Sequence, residues 1–499
     1  MTDRQERYVG APVRRKDDPR LLTGGGRYVD DQRLPRMLYI AFVRSLHAHA
    51  HVTKIALEAA RCLPGVTAIL TGEEVRELCK PYKGILLHYT GMKTGAMLPL
   101  AVDRVRYVGE PVVAIAATER AIAEDACDLV QVEYQPLPPL VDPEEAMRPG
   151  APVIHAELGD NLMFETTLEA GEPEVTFRDA EHVYRQRFRS ARHTGVTMEP
   201  RGLIASFEPA TRAFILHIAT QVPHMMQAVL ADVLGLEEHR VRVITQDVGG
   251  SFGIKIHIYQ DELATCCMAL RLGRPVKFIA DRQESFLTDI HARDQIVDVQ
   301  VAATQAGILT GIRAKIIAPV GAYSAYPRTS VVEGGQVLRL LPGPYRVRHY
   351  AAHLQVVAQT LGITSQYRAV GHPIAAMVIE GMIEHIARDL NLDAAEIRRR
   401  NLIRQEDLPY TTCVGNVYDS GSHFESLTKL LEAADYQGLR DQQREARKAG
   451  RYLGIGLSCF IEITGPGPQF YGSAVPRSWP RTAPRFGLSR PAKSPPSLG

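Results

Sequence analysis

Two glycine-bearing segments hold the residue types best suited to chemistry in this chain. The first, Gln246-Asp247-Val248-Gly249-Gly250-Ser251-Phe252-Gly253, follows the apolar run RVRVITQ and precedes a helix-forming stretch. Glycines there let the backbone turn sharply and approach a ligand closely, and free amides at a helix start favour an anion such as a phosphate or an oxo group. The pattern is not GxGxxG, so on spacing alone a plain structural turn is an equal reading. The second, Ser365-Gln366-Tyr367-Arg368-Ala369-Val370-Gly371-His372-Pro373, also leads into a helix. Arg368 offers a planar, permanently charged fork for an anionic or carbonyl-bearing ligand, and Gly371 again permits close approach. The competing reading is an ordinary surface or ion-paired arginine. A third segment, His193 to Gly202, is followed by Thr220-Gln221-Val222-Pro223-His224. The Gln221 amide can bond cofactor oxygens, or it can satisfy backbone groups.

Side-chain metal ligation is poorly supported. His47, His49 and His51 alternate, which puts three imidazoles on one side of a strand, but without nearby acids or thiols they read as an exposed strand end. The seven cysteines contain no CxxC and no tight, even spacing, so neither zinc nor iron-sulfur ligation is written here, and any redox relay lies on other chains. Adjacent Cys266 and Cys267 point about 100° apart on a helix and read as packing residues.

The elements that must position these segments alternate in type. Residues 20–142 read as a compact α+β unit, with LYIAFVRS and VVAIAA as strands and ERAIAEDACDLVQVEY as a helix running into another strand. Prolines from Pro136 to Pro152 mark a boundary that would isolate the core of this unit. A large α/β region, 150–404, follows. Its first clear helix spans roughly His257 to Leu272, with Gly273 just past its end and Pro275 blocking continuation. Another follows Pro373, with Ile374, Met377, Val378, Met382, Ile386 and Leu390 on one inward face. The next starts at Asp393, has Glu396 placed as in a capping box, and runs through EIRRRNLI.

A composition of 45% hydrophobic and 23% charged residues places the chain among globular proteins, and 499 residues allow two to four domains. The net charge of +2 gives no single-sign field to attract nucleic acid or a membrane surface. The opening MTDRQERYVG lacks the pattern of a signal peptide, so a cytoplasmic protein is expected. The stretch 476–499 is rich in proline and basic residues and has no acid, so it reads either as a disordered tail or as the product of a shifted reading frame after about Val475.

Taken together and in order, MEPRGLIA, DVGGSFGIK and QYRAVGHP resemble the segments that the molybdenum hydroxylase large subunits place around their molybdopterin. That superfamily comprises xanthine dehydrogenase, aldehyde oxidase and aerobic carbon monoxide dehydrogenase. RYVGEPVVAIAA with VEYQPLP resembles its N-terminal α/β hammerhead domain, and IRRRNLI the stretch after its substrate loop; the resemblance spans Val9 to Tyr471. It implies an N-terminal segment (1–19), a hammerhead domain (20–142), a first molybdopterin-binding domain (150–404) and the start of a second (405–475), before the aberrant tail (476–499). It also implies molybdenum held by the dithiolene of a pterin, often as the cytosine dinucleotide, with no iron-sulfur or flavin site in this chain. The partners implied are an iron-sulfur small subunit and an FAD-binding medium subunit, in a dimer of heterotrimers. Gln221 and Gly249, Gly250, Ser251, Phe252 and Gly253 would contact the cofactor, with Phe252 and Gly253 nearest the metal. Tyr367, Arg368, Ala369, Val370 and Gly371 would form the loop beside it, with Arg368 orienting substrate or cofactor.

Three departures accompany the resemblance. Ala369 stands where the carbon monoxide enzymes carry a copper-binding cysteine, and a methyl group cannot ligate copper. His372, Pro373 and Ile374 replace an arginine, proline and glutamate. Neither the QGQGHET-like segment nor the GxGE-like glutamate that serves as general base is found, which implies a C-terminally truncated chain of very low intrinsic turnover. The expected function is a hydroxylase subunit that inserts water-derived oxygen at an aldehyde or N-heterocycle carbon and passes electrons to iron-sulfur and flavin partners. The alternatives are a non-catalytic remnant, or a module that binds cofactor or partners without the glutamate.

Overall fold

Apolar runs of two kinds lay down the sheets of this α/β protein. The computed structural model describes residues 8, 10–86 and 88–462. The tail expected at 476–499 and the end of the 405–475 segment lie outside those residues. Strand Pro111–Ala117 is buried along its whole length, as VVAIAA predicts for a strand covered on both faces. It is flanked by Leu38–Arg44 and Val66–Thr71, both antiparallel to it. A small three-stranded sheet, Arg104–Val105, Ala50–Ala56 and Gln131–Pro136, completes this region, with helix Arg120–Asp128 between.

The expectation that the proline-rich stretch isolates this core is not met. Strand Leu38–Arg44 pairs in parallel with Val276–Ile279, in register Leu38 to Val276 and Tyr39 to Lys277. One seven-stranded sheet results, in the order Val241–Ile244, Ala213–Ile218, Gly202–Glu208, Val276–Ile279, Leu38–Arg44, Pro111–Ala117, Val66–Thr71. Leu38, Ile40, Phe42 and Leu70 share one apolar cluster with Leu203, Leu263, Met268 and Phe278, and the Phe42 and Phe278 rings meet edge-on at 5.1 Å. The prolines themselves are pinned: Leu140 N–H donates to Thr360 Oγ1 at 2.8 Å, and Asn161 Nδ2 donates to the Ala146 and Pro152 carbonyls.

A five-stranded sheet forms the second core, ordered Leu162–Ala170, His349–Ala358, Leu309–Gly321, Ile296–Ala303, His182–Arg189. Helices Val331–Leu340 and His372–Asp389 share its apolar cluster. In the latter helix Ile374, Val378, Met382 and Ile386 are buried as the periodicity predicts, but Met377 is 37% exposed.

Other local expectations are revised. The helix expected from His257 begins at Gln260, because a left-handed Gly253 opens a single 3-10 turn, Ile254–Ile256, and His257 is extended. Gly273, at φ 57°, does end it. Asp393 caps Ala394–Asn401 by accepting from the Ala395 and Glu396 amides, but Glu396 pairs with Arg400 and the helix stops before Leu402. The histidine string is not an exposed strand end: the strand starts at Ala50, and His49 is buried with its Nδ1 3.0 Å from the Pro138 carbonyl oxygen. Cys266 and Cys267 are fully buried, and burial pushes the Cys266 thiol well up. Among the described residues no helix is long and apolar enough to cross a membrane.

The shared sheet makes a testable statement about residues 20–142. Expressed alone, this fragment leaves the Leu38–Arg44 edge and Phe42 without their partners, so it should aggregate or lack a cooperative unfolding transition. Circular dichroism and size-exclusion chromatography check this; a monodisperse, cooperatively melting fragment would contradict it.

Candidate cofactor site

Three segments separated in sequence converge where the sequence placed its glycine loops. The backbone of Gly250, Phe252 and Gly253 is left-handed, at φ 102°, 53° and 96°. A Cβ on Gly253 would lie 2.8 Å from the Gln366 carbonyl oxygen, so only glycine lets the two loops touch. They are joined there by Arg368 N–H donating to the Phe252 carbonyl at 2.8 Å. The third segment arrives beside them. A Cβ on Gly195 would lie 2.9 Å from the Tyr367 ring, and His193 meets that ring edge-on at 5.1 Å.

Charged groups fix the first loop from below. Glu199 accepts from the Gly249 amide at 2.7 Å and from Lys255 Nζ at 2.9 Å, while its own N–H donates to the Gly249 carbonyl at 3.0 Å. Lys255 is buried; burial pulls its ammonium pKa down and Glu199 acts against that shift. Asp247 accepts a two-pronged contact from Arg20 at 2.7 and 2.8 Å and a third bond from Arg27 N–H. The Arg20 guanidinium holds its carboxyl well below the usual range. Arg20, in the N-terminal part of the chain, thus closes one side of the loop.

Gln221 Oε1 accepts from Gly253 N–H at 3.0 Å and from the Ser251 hydroxyl. Its Nε2 makes no protein hydrogen bond among the described residues, and the residue is exposed. Arg368 is likewise exposed, forms no ion pair among the described residues, and has its guanidinium 6.0 Å from the Phe252 ring centre. Phe252 is 43% exposed. The surface so formed presents a free amide, a guanidinium and an aromatic ring, a donor set suited to an oxygen-rich anion rather than to a bare cation.

The second loop is equally constrained. Ala369 and Val370 are both left-handed, at φ 68° and 51°. Gly371 N–H donates to Gln336 Oε1 at 3.0 Å, and a Cβ at Gly371 would strike the Glu333 carbonyl oxygen at 2.5 Å. Arg293 reaches the loop from the connection between strands His291–Ala292 and Ile296–Ala303, donating to the Arg368 carbonyl at 2.6 Å and to the Val370 carbonyl. Gln221, 249–253 and 367–371, expected from the sequence to share one site, do lie together. The supporting roles of Glu199, Lys255, Arg293 and Glu333 are not evident from the sequence. Glu199 and Lys255 stand inside MEPRGLIA and DVGGSFGIK, which mark their segments but not their pairing, whereas Arg293 and Glu333 had no signal beyond ionisable residues beside apolar runs.

Replacing Glu199 by Gln leaves the buried Lys255 without its carboxylate and should lower unfolding free energy by about 2 kcal/mol or more. Gly253→Ala imposes a strained conformation and a backbone clash, and should cost about 1–3 kcal/mol. Denaturant midpoints at unchanged slope measure both.

Two family models match the chain: the aldehyde oxidase and xanthine dehydrogenase a/b hammerhead domain over residues 23–138, and the molybdopterin cofactor-binding domain over 154–402. Among curated relatives, the nicotine 6-hydroxylase large subunit of Paenarthrobacter nicotinovorans is 37% identical over 92% of this chain and 56% of its own length. The carbon monoxide dehydrogenase large chain of Hydrogenophaga pseudoflava is 35% identical over 91% of this chain and 58% of its own. The crystal structure of quinoline 2-oxidoreductase from Pseudomonas putida 86 superposes with a TM-score of 0.89, at 35% identity, over 94% of this chain and 59% of that one. The chain therefore spans somewhat over half the length of these relatives. On its fold, its two matched domains and these likenesses, the chain belongs to the large-subunit superfamily of the molybdenum hydroxylases.

Proposed function

We propose that this chain is the molybdopterin-binding part of a hydroxylase that oxidises a carbon of an N-heterocycle or an aldehyde. The carrying observation is the junction of the Gly249–Gly253 and Tyr367–Gly371 loops, with the Gln221 Nε2, unpaired among the described residues, and the Arg368 guanidinium on one exposed surface. That donor set fits an anionic pterin bearing its own metal ligands, since the junction offers neither thiol nor carboxylate to a metal. Glu199, whose carboxylate touches the first loop, is engaged by Gly249 and Lys255, and Glu333, whose carboxylate reaches the second loop only through Arg293, is engaged by that arginine. Neither serves as the general base.

In this reading Gln221 Nε2 and the backbone of 249–253 hold the cofactor, in its cytosine dinucleotide form. When bound, that group supplies a two-electron oxidation in which oxygen from water enters the substrate carbon. Phe252 gives the substrate ring an apolar face, and Arg368 orients it by hydrogen bonding to a ring nitrogen or carbonyl. Electrons leave to an iron-sulfur subunit and an FAD-binding subunit in a cytoplasmic dimer of heterotrimers. The relatives named for nicotine and quinoline support the heterocycle side of the reading. The relatives named for carbon monoxide do not extend it, because Ala369 has no thiol to bind copper.

Metal analysis of the chain purified with its partner subunits tests this. Stoichiometric molybdenum without copper is the expected result. A folded complex that never retains molybdenum would sink the reading, and stoichiometric copper would overturn the argument from Ala369.

A further inference from the structure

We propose that Arg293, braced by Glu333, is a positioning residue that sets the backbone of residues 368–371 and so determines where the Arg368 side chain stands. The use made of that loop rests on the function proposed above; the clamp itself does not.

The geometry is that of a bracket. Arg293 Nη2 donates to the Arg368 carbonyl at 2.6 Å, and Nη1 donates both to the Val370 carbonyl and to Glu333 Oε1, the latter at 2.9 Å. Two carbonyls flanking Ala369 are thus drawn to one planar cation, which requires the chain between them to double back. The left-handed conformations of Ala369 and Val370 are that reversal. Neither residue adopts it readily, least of all a β-branched valine, so it persists only where the surroundings over-determine it.

Arg293 cannot swing away. It is 5% exposed, its own backbone is left-handed at φ 71°, and its N–H donates to Glu333 Oε2 at 3.1 Å. Glu333, 3% exposed in the first turn of helix Val331–Leu340, therefore grips the arginine at both backbone and side chain. Its guanidinium also lies 5.3 Å from the Tyr367 ring centre. From the same helix Gln336 accepts the Gly371 amide, so one helix fixes the loop by two routes. A lysine at 293 would keep the charge but could not span both carbonyls and the carboxylate with a fixed fork.

Amide hydrogen exchange on the full chain, comparing native protein with Arg293→Lys and Glu333→Gln, tests the clamp without needing the cofactor. The reporting amides are those of Arg368, Val370, Gly371 and His372, each hydrogen-bonded in the closed loop. Both variants should speed exchange there by about tenfold or more while leaving strands Ile296–Ala303 and His349–Ala358 unchanged. In the complex assembled with its partners, Arg293→Lys should leave molybdenum content unaltered, because the clamp sets the loop and does not itself hold the cofactor. Unchanged loop exchange would overturn the proposal, and so would loosening spread through the five-stranded sheet, which would make Arg293 a general structural residue. Loosening confined to the loop in a chain that takes up no molybdenum would uphold the clamp and remove the functional reading.

Discussion

A guanidinium with almost no solvent exposure has to find every partner inside the protein, and Arg201 does so at the point where the His193–Gly202 segment enters the seven-stranded sheet. It is 1% exposed. Its nitrogens donate to Asp261 at 2.7 and 3.0 Å, to Asp289 at 2.5 Å and to Thr288 at 2.8 Å, while its plane lies 3.8 Å from the Tyr259 ring centre. Asp261 also receives Arg44 at 3.0 Å. Burial pushes the Asp261 carboxyl up, but the two arginines outweigh it and hold that carboxyl below its usual range. An unpaired charge in such a place is far more costly than a paired one, so the arrangement is effectively all or none. Strand Gly202–Glu208, helices Gln260–Leu272 and Arg282–Thr288, and strand Leu38–Arg44 are all tied to it.

The loop surface inherits its geometry from that cluster. Glu199 sits two residues before Arg201 and grips Gly249 and Lys255, so the first glycine loop is referenced to the buried charges rather than to its own flexible backbone. The second loop is referenced to the other core through Arg293 and Glu333. The junction of the loops is therefore also a junction of two cores, which is where a pocket able to hold a large ligand is commonly built.

How much of this was legible beforehand follows from the range of the interactions. Local features were readable: the Gly273 stop, the apolar face of His372–Asp389, the fully apolar VVAIAA strand and the strand-turn-helix setting of Gly249–Gly253 each depend on neighbours a few residues away. The parallel pairing of Leu38 with Val276 depends on a partner far along the chain, and the prolines between 136 and 152 imitate a linker while being held against the second core. The histidines misled for a similar reason: alternation gives side chains a common face only inside a strand, and this strand begins after His49. In the site, glycines advertised the loops and MEPRGLIA contained Glu199, but the pairing of these charges carries no local mark, because Arg293 and Glu333 differ from solvent-facing residues only in what folds over them.

The parallel seam in the large sheet also sets an order of events during synthesis. Strand Leu38–Arg44 leaves the ribosome long before the strand it must pair with, since Val276 is translated roughly 240 residues later, on the order of tens of seconds at typical elongation rates. Throughout that interval one edge of an apolar, hydrogen-bonding strand has no native neighbour, and antiparallel Pro111–Ala117 can cover only the other edge. The nascent chain thus carries an unpaired strand edge for all of that time, and slowed translation through the middle of the message lengthens the hazard.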